Sequence, residues 1–180
     1  MKKEIIKEIE IPEGVEVKFE EDELIVKGPE GENRRKFEKR IFEIEVKPDK
    51  VVLYHKKATK KEKKMINTSA AHIKNMIAGV QKKFEYRLKA CFSHFPITIE
   101  IKEGKALIKN FLGEKIPREV EIPQGVEVKV NGQNISIYSC NKELAGQTAA
   151  DFEKATKVPR RDRRVFQDGI FITHKAGREI

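Results

Sequence analysis

The strongest constraint on this chain is that its elements come twice. KGPEGE at 27–32 is matched by KNFLGE at 109–114, an offset of 82. VVLY at 51–54 is matched by ISIY at 135–138 at offset 84, and SAA at 69–71 by TAA at 148–150 at offset 79. Each match is short, but strand, strand and helix recur in one order at nearly constant spacing. A repeat of about 80 residues restricts the chain to two copies of one small unit.

The periodicity within each copy names its parts. VEVKF (15–19) and ELIVKG (23–28) alternate around EEDE as two strands, and KFEKRIFEIEV meets VVLYH across KPDK, where Pro48-Asp49 supplies turn chemistry. Ile66, Ala70, Ile73, Ile77 and Val80 then recur at helical spacing, with Gly79 expected to help end the helix. In the second copy, ITIEIKEGKALIKN reads as a hairpin about Glu103-Gly104, and REVEIPQGVEVKVNGQNISIYSC as another about Asn131-Gly132. Asn141 stands where a helix N-cap belongs, before KELAGQTAADFEKAT. The expected fold class is α+β. Two tandem duplicated modules, residues 1–90 and 91–180, each hold an antiparallel sheet covered on one face by one α-helix.

A second similarity competes with this register. EIEIPEGVEVKF (8–19) and EVEIPQGVEVKV (119–130) agree at nine of twelve positions, at offset 111. That alignment puts the helices out of step. It is read as a local device used twice, strand, Pro-x-Gly corner, strand, and the register of about 80 residues is preferred because it covers the helices.

Charge placement bears on function. The 180 residues carry 38 Lys or Arg and 29 Asp or Glu, a net of +9, which points to a polyanionic partner. Residues 4–23 hold nine acidic groups against two lysines, so the N-terminal edge is acidic. Residues 91–153 carry a net of −2 and residues 154–180 a net of +5, so the second half owes its positive charge to its tail. Two basic clusters on a balanced surface are the footprint expected of nucleic-acid binding.

Other classes find little support. His55, His72, His94 and His174 are scattered, with no metal-ligand spacing, and there is no phosphate-cradling Gly-rich loop or nucleophile elbow. Gly28-Pro29 reads as a turn. No enzyme, cofactor, metal or small-molecule substrate is expected. The basic residues flank the helices rather than striping one face, which disfavours a membrane surface. MKKEIIKEIEIPEG lacks an apolar run of signal-peptide length, and Cys91 and Cys140 read as reduced thiols, so the cytoplasm is the expected location.

The first basic cluster comprises Lys56, Lys57, Lys60, Lys61, Lys63 and Lys64 and leads into the first helix. It is either a solvated run or a secondary RNA contact. In the tail, Lys154, Lys157, Arg160, Arg161, Arg163 and Arg164 form a cationic knuckle between helix and strand, with Lys175 and Arg178 after the last strand. Arginine forks chelate phosphate oxygens and stack on bases, and Val158-Pro159 stiffens the approach. Phosphate contact is the favoured reading there. The phenylalanines alternate like core, which argues against a base-stacking single-strand platform and for recognition of backbone and shape.

VKGPEGE at 26–32, LAGQTAA at 144–150 and RRDRRVFQDGI at 160–170 together resemble the large-subunit ribosomal protein six family, in its archaeal and eukaryotic form. The resemblance spans nearly the whole chain. It implies two similar α+β domains, no catalysis, and binding to large-subunit rRNA with the C-terminal domain making main contacts. It also implies a place near the sarcin–ricin loop and stalk base, beside neighbouring large-subunit proteins and close to translational GTPases. Gly146, Ala149 and Ala150 match the family's helix, where small side chains admit RNA or the sheet. The alternative is a non-ribosomal adaptor that binds RNA or an acidic protein.

Overall fold

The computed structural model describes residues 3–37, 42–162 and 164–180. The chain forms two compact units, Met1–Lys83 and Phe84–Ile180. In the first, β1 is Lys3–Glu10, β2 Glu16–Glu20, β3 Glu23–Gly28, β4 Gly31–Lys36, β5 Glu43–Val46, β6 Lys50–Ala58 and α1 Lys60–Gln81. Among the described residues the strands divide into two antiparallel sheets, ordered β1-β6-β5 and β2-β3-β4. The β2–β3 turn is built on Glu21 and Asp22, both at positive φ (+47° and +70°). That conformation matches the twist of a two-residue hairpin. Lys47 and Lys50 close the Pro48-Asp49 turn, as their residue types predict.

Helix α1 joins the sheets through one core. Ile66, Ala70, Ile73, Ile77 and Val80 are all buried, packed with Leu24 and Val26 of β3 and Val51 and Leu53 of β6. Each of the Ile, Leu and Val side chains contributes about 1.5–3 kcal/mol on leaving water, and the Ala70 methyl less. Gly79 does not end the helix; it is buried within the last turn, and α1 runs to Gln81 before Lys82 turns extended. The KGPEGE segment is the β3–β4 turn docked on that helix end. Glu30 N–H donates to Val80 O at 3.0 Å, satisfying one of the carbonyls a helix leaves orphaned. A Cβ on Gly28 would lie 2.8 Å from both Val80 O and Val80 Cγ2, so only glycine fits.

In the second unit β7 is Phe84–Cys91, β8 Thr98–Lys102, β9 Lys105–Lys109, β10 Arg118–Glu121, β11 Val126–Asn131, β12 Asn134–Ser139, α2 Lys142–Ala155, β13 Gly169–Lys175 and β14 Arg178–Glu179. Sheets ordered β10-β9-β8 and β11-β12-β7-β13-β14 share a core in which Phe111, Ile108, Leu88, Ile135, Ile137, Phe152 and Ile170 are fully buried. Asn141 caps α2, its side chain accepting from Glu143 N and Leu144 N. The β11–β12 turn sits one residue later than the Asn-Gly signal suggests. Asn131 pairs with Asn134, and Gly132, at φ +61°, takes the first central position.

The unit boundary corrects the expected division at 90/91. It falls between Lys83 and Phe84 because β7 pairs with β12 and β13. The duplication is nonetheless visible in topology. Strand β1 corresponds to β7, β2–β4 to β8–β10, β5–β6 to β11–β12 and α1 to α2, with VVLY and ISIY on the matching strands β6 and β12. Among the described residues, no helix is long and apolar enough to cross a membrane.

Candidate nucleic-acid interface

The basic knuckle is a loop pinned at both ends. At its start, Thr156 is buried; its hydroxyl donates to Phe152 O at 3.1 Å and accepts from Ile170 N at 2.9 Å, tying the end of α2 to β13. Arg118 of β10 reaches the same helix end, its Nη1 donating to Ala155 O at 2.6 Å while its fork grips Glu114 and its plane lies 4.3 Å from the Phe111 ring centre. A cation there satisfies orphan carbonyls and complements the helix dipole. Val158 then plugs into the core.

At its far end, Asp168 is only 3% exposed and holds the segment before β8. Its carboxylate accepts from Ser93 N, Ser93 Oγ and His94 N, each at 3.1 Å, and from His94 Nδ1 at 2.7 Å. Burial pushes the Asp168 carboxyl up, but the hydrogen bonds from His94 and Ser93 outweigh it and hold it below the usual aspartate range. An ionised carboxylate only accepts, so Nδ1 of His94 carries the proton. The His94 ring stacks on Phe166 with centroids 4.9 Å apart, and the Arg161 guanidinium lies 4.7 Å from the same ring centre.

Between these anchors the arginines differ. Arg160 is exposed at φ +56° and, among the described residues, makes no ion pair. Arg161 is exposed but steadied by Phe166. The Arg164 fork is folded onto Asp162, Nη2 to Oδ2 at 2.8 Å, and this pair lowers the Asp162 carboxyl below its usual range. Arg163 lies outside the described residues. Lys157 is exposed, and Lys154 is exposed with an ion pair to Asp151 at 3.5 Å. Lys175 and Arg178 do not join this cluster. They sit at the other end of β13, on its turn into β14, about 20 Å along the strand from Gly169.

In the first unit, Lys56 and Lys57 are exposed on β6, and Lys60, Lys61, Lys63 and Lys64 are exposed on the first turns of α1. Lysines at a helix N-terminus oppose the dipole, so they are not there to stabilise α1. That is the work of Thr59 and Glu62, which form a reciprocal capping box.

The profile described as ribosomal protein L6 matches this chain over residues 11–83 and 95–169, one stretch within each structural unit. The chain belongs to the ribosomal protein L6 family. It is 47% identical to the large ribosomal subunit protein uL6 of Methanobrevibacter smithii over 171 residues, covering 95% of this chain and 96% of the relative. The protein of the same name from Methanosarcina mazei is 46% identical, with 98% and 100% covered, and that from Methanococcus vannielii 44%, with 98% and 97% covered. L6-family proteins are structural constituents, not enzymes.

The family motifs acquire physical reasons here. Gly146 packs at the sheet, where a Cβ would come within 3.1 Å of Tyr86 Oη, and Ala149 is fully buried. Small residues on α2 therefore serve approach to the sheet. Ser93, His94, Arg118, Phe166 and Asp168, which position the knuckle, were not apparent as site residues from sequence. The phenylalanine expectation also changes: Phe166 is half-buried beside Arg161, and Phe171 is 47% exposed on β13.

Proposed function

We propose that this chain is a structural protein of the large ribosomal subunit whose knuckle, Lys154 to Arg164, grips the phosphates of large-subunit rRNA. The observation that carries the reading is the presentation of Arg160 and Arg161 from a loop fixed at both ends, by Thr156 and Arg118 on one side and Asp168 on the other. A cation held in place loses less freedom on binding than one on a free tail. Lys175 at the far end of β13 and Arg178 at the start of β14 supply a second contact, and Lys56 to Lys64 a third on the other unit. On this reading the chain sits in the cytoplasmic ribosome near the sarcin–ricin loop and stalk base, among neighbouring ribosomal proteins and beside docking translational GTPases.

The test is a salt titration of binding to protein-free large-subunit rRNA, comparing the wild type with a variant carrying Ala at Arg160, Arg161, Arg163 and Arg164. Each phosphate contact contributes a slope of about −0.7 to −0.9 in log K against log salt, so the variant flattens by roughly two to four units. Unchanged slope and affinity in a folded variant overturn the grip. Co-sedimentation of the wild type with large subunits at moderate salt excludes the free adaptor.

A further inference from the structure

Beside the knuckle lies an open cleft of about 810 Å³, within the size range of pockets that take small organic groups. Val158 and Gly169 line it, Phe166 and Phe171 form aromatic walls, and Lys154 and Lys157 stand among its lining residues. Phe171 supplies the available ring, since His94 and Arg161 already lie against Phe166. Its side chain curls back over Gly169, where a Cβ would sit 3.2 Å from the Phe171 ring, so the bare backbone makes room for that placement.

The acidic groups in the lining are already engaged. Glu153 accepts from Ile172 N at 2.9 Å, and Asp168 is held by Ser93 and His94. Among the described residues Lys157 makes no ion pair, and the Lys154–Asp151 pair is solvent-exposed and easily exchanged. An aromatic wall beside cations matches the two halves of a nucleotide, a base that stacks and a phosphate that needs counter-charge. Bases inside a duplex cannot reach such a wall; an unpaired one splayed from its strand can. An apolar peptide side chain would fill the cleft but leave Lys157 without counter-charge.

We propose that this cleft takes one unpaired nucleobase of the bound rRNA, stacked on Phe171, with its phosphate at Lys154 and Lys157. The inference rests on the rRNA-grip reading and adds base contact to it. Phe171→Ala in the full chain tests it, measured against protein-free large-subunit rRNA across the same salt series. The expected result is an affinity loss of about tenfold with the slope unchanged, because a stacking contact is removed and no phosphate contact is. A second measurement needs no variant. Adenosine monophosphate titrated into isotope-labelled wild type is expected to shift the amides of Gly169 and Phe171, and inorganic phosphate is not. Wild-type affinity in Phe171→Ala overturns the base site while leaving the grip intact, as does an equal response to phosphate and nucleotide. A wild type with no salt-dependent rRNA binding overturns both.

Discussion

Asp168→Asn isolates the brace of the knuckle from its charge. The native carboxylate, 3% exposed, receives four donors from Ser93 and His94, two on each oxygen. An amide keeps one accepting oxygen and turns an N–H₂ toward the other two donors. Hydrogen bonds to a charged group contribute about 1.5–3 kcal/mol each. Ser93 and His94 are exposed, so water recovers part of the loss. The net cost to the second unit is therefore about 2–4 kcal/mol. Urea unfolding of the full chain by circular dichroism reads this as a lower midpoint for that unit, and the rRNA salt slope stays at the wild-type value.

The pH dependence has a definite sign. Because the folded-state Asp168 carboxyl is depressed below its unfolded value, it stabilises fully above the ordinary aspartate range near pH 4. That contribution fades as pH falls through the lowered folded value. The wild-type advantage over Asp168→Asn is thus complete at pH 7 and closes below about pH 4. Coincident unfolding curves at pH 7, or a gap that stays open well below pH 4, would refute the brace.

Gly28→Ala forces a Cβ to within 2.8 Å of Val80 O, a backbone atom that cannot swing aside, and lowers the stability of the first unit by about 1–3 kcal/mol in urea unfolding. Thr59→Ala removes the α1 cap and costs about 1 kcal/mol in the same assay. The Thr59 side chain and backbone also hold the Glu62 carboxyl down to about 2, so carboxyl-detected NMR on Thr59→Ala should find Glu62 titrating back toward its ordinary range. In the wild type that contribution is present above the ordinary carboxylate range and is lost as pH falls toward 2.

What the sequence disclosed was local. The α1 stripe, the Asn141 cap and the Glu103-Gly104 turn depend on residues within a few positions of each other and stand in the structure, and the second hairpin stands with its turn moved on by one residue. The boundary was hidden because β7 follows α1 just as β13 follows α2, so by order alone it looks like the closing strand of the first unit. Its partners, β12 and β13, lie far along the chain. The site was half legible for the same reason. Arginines announce themselves by composition, but Asp168 meets His94 across 74 positions and Arg118 meets Ala155 across 37, and no periodicity joins such pairs. Phe171 stands between Ile170 and Ile172 in a continuous apolar run, and such a run does not say which face of the strand is covered.

The Pro-x-Gly corners show why the better local match was the poorer guide to the fold. EIEIPEGVEVKF carries the chain from β1 to β2, whereas EVEIPQGVEVKV carries it from β10 to β11, and these connections are not equivalent in the duplication. Both pass from one sheet of a unit to the other, and both do so with the same backbone. Val15 N donates to Pro12 O and Val126 N to Pro123 O, each at 3.3 Å, with Gly14 at φ +81° and Gly125 at φ +84°. Proline presets the entry and glycine supplies the left-handed residue, so two corners under one geometric demand reach one sequence. The helices answer to a looser demand, a buried face of the right period, which many residues satisfy. Close identity over twelve positions therefore measures how tightly the backbone is constrained there, and the weak register that keeps sheet and helix in step measures the repeat.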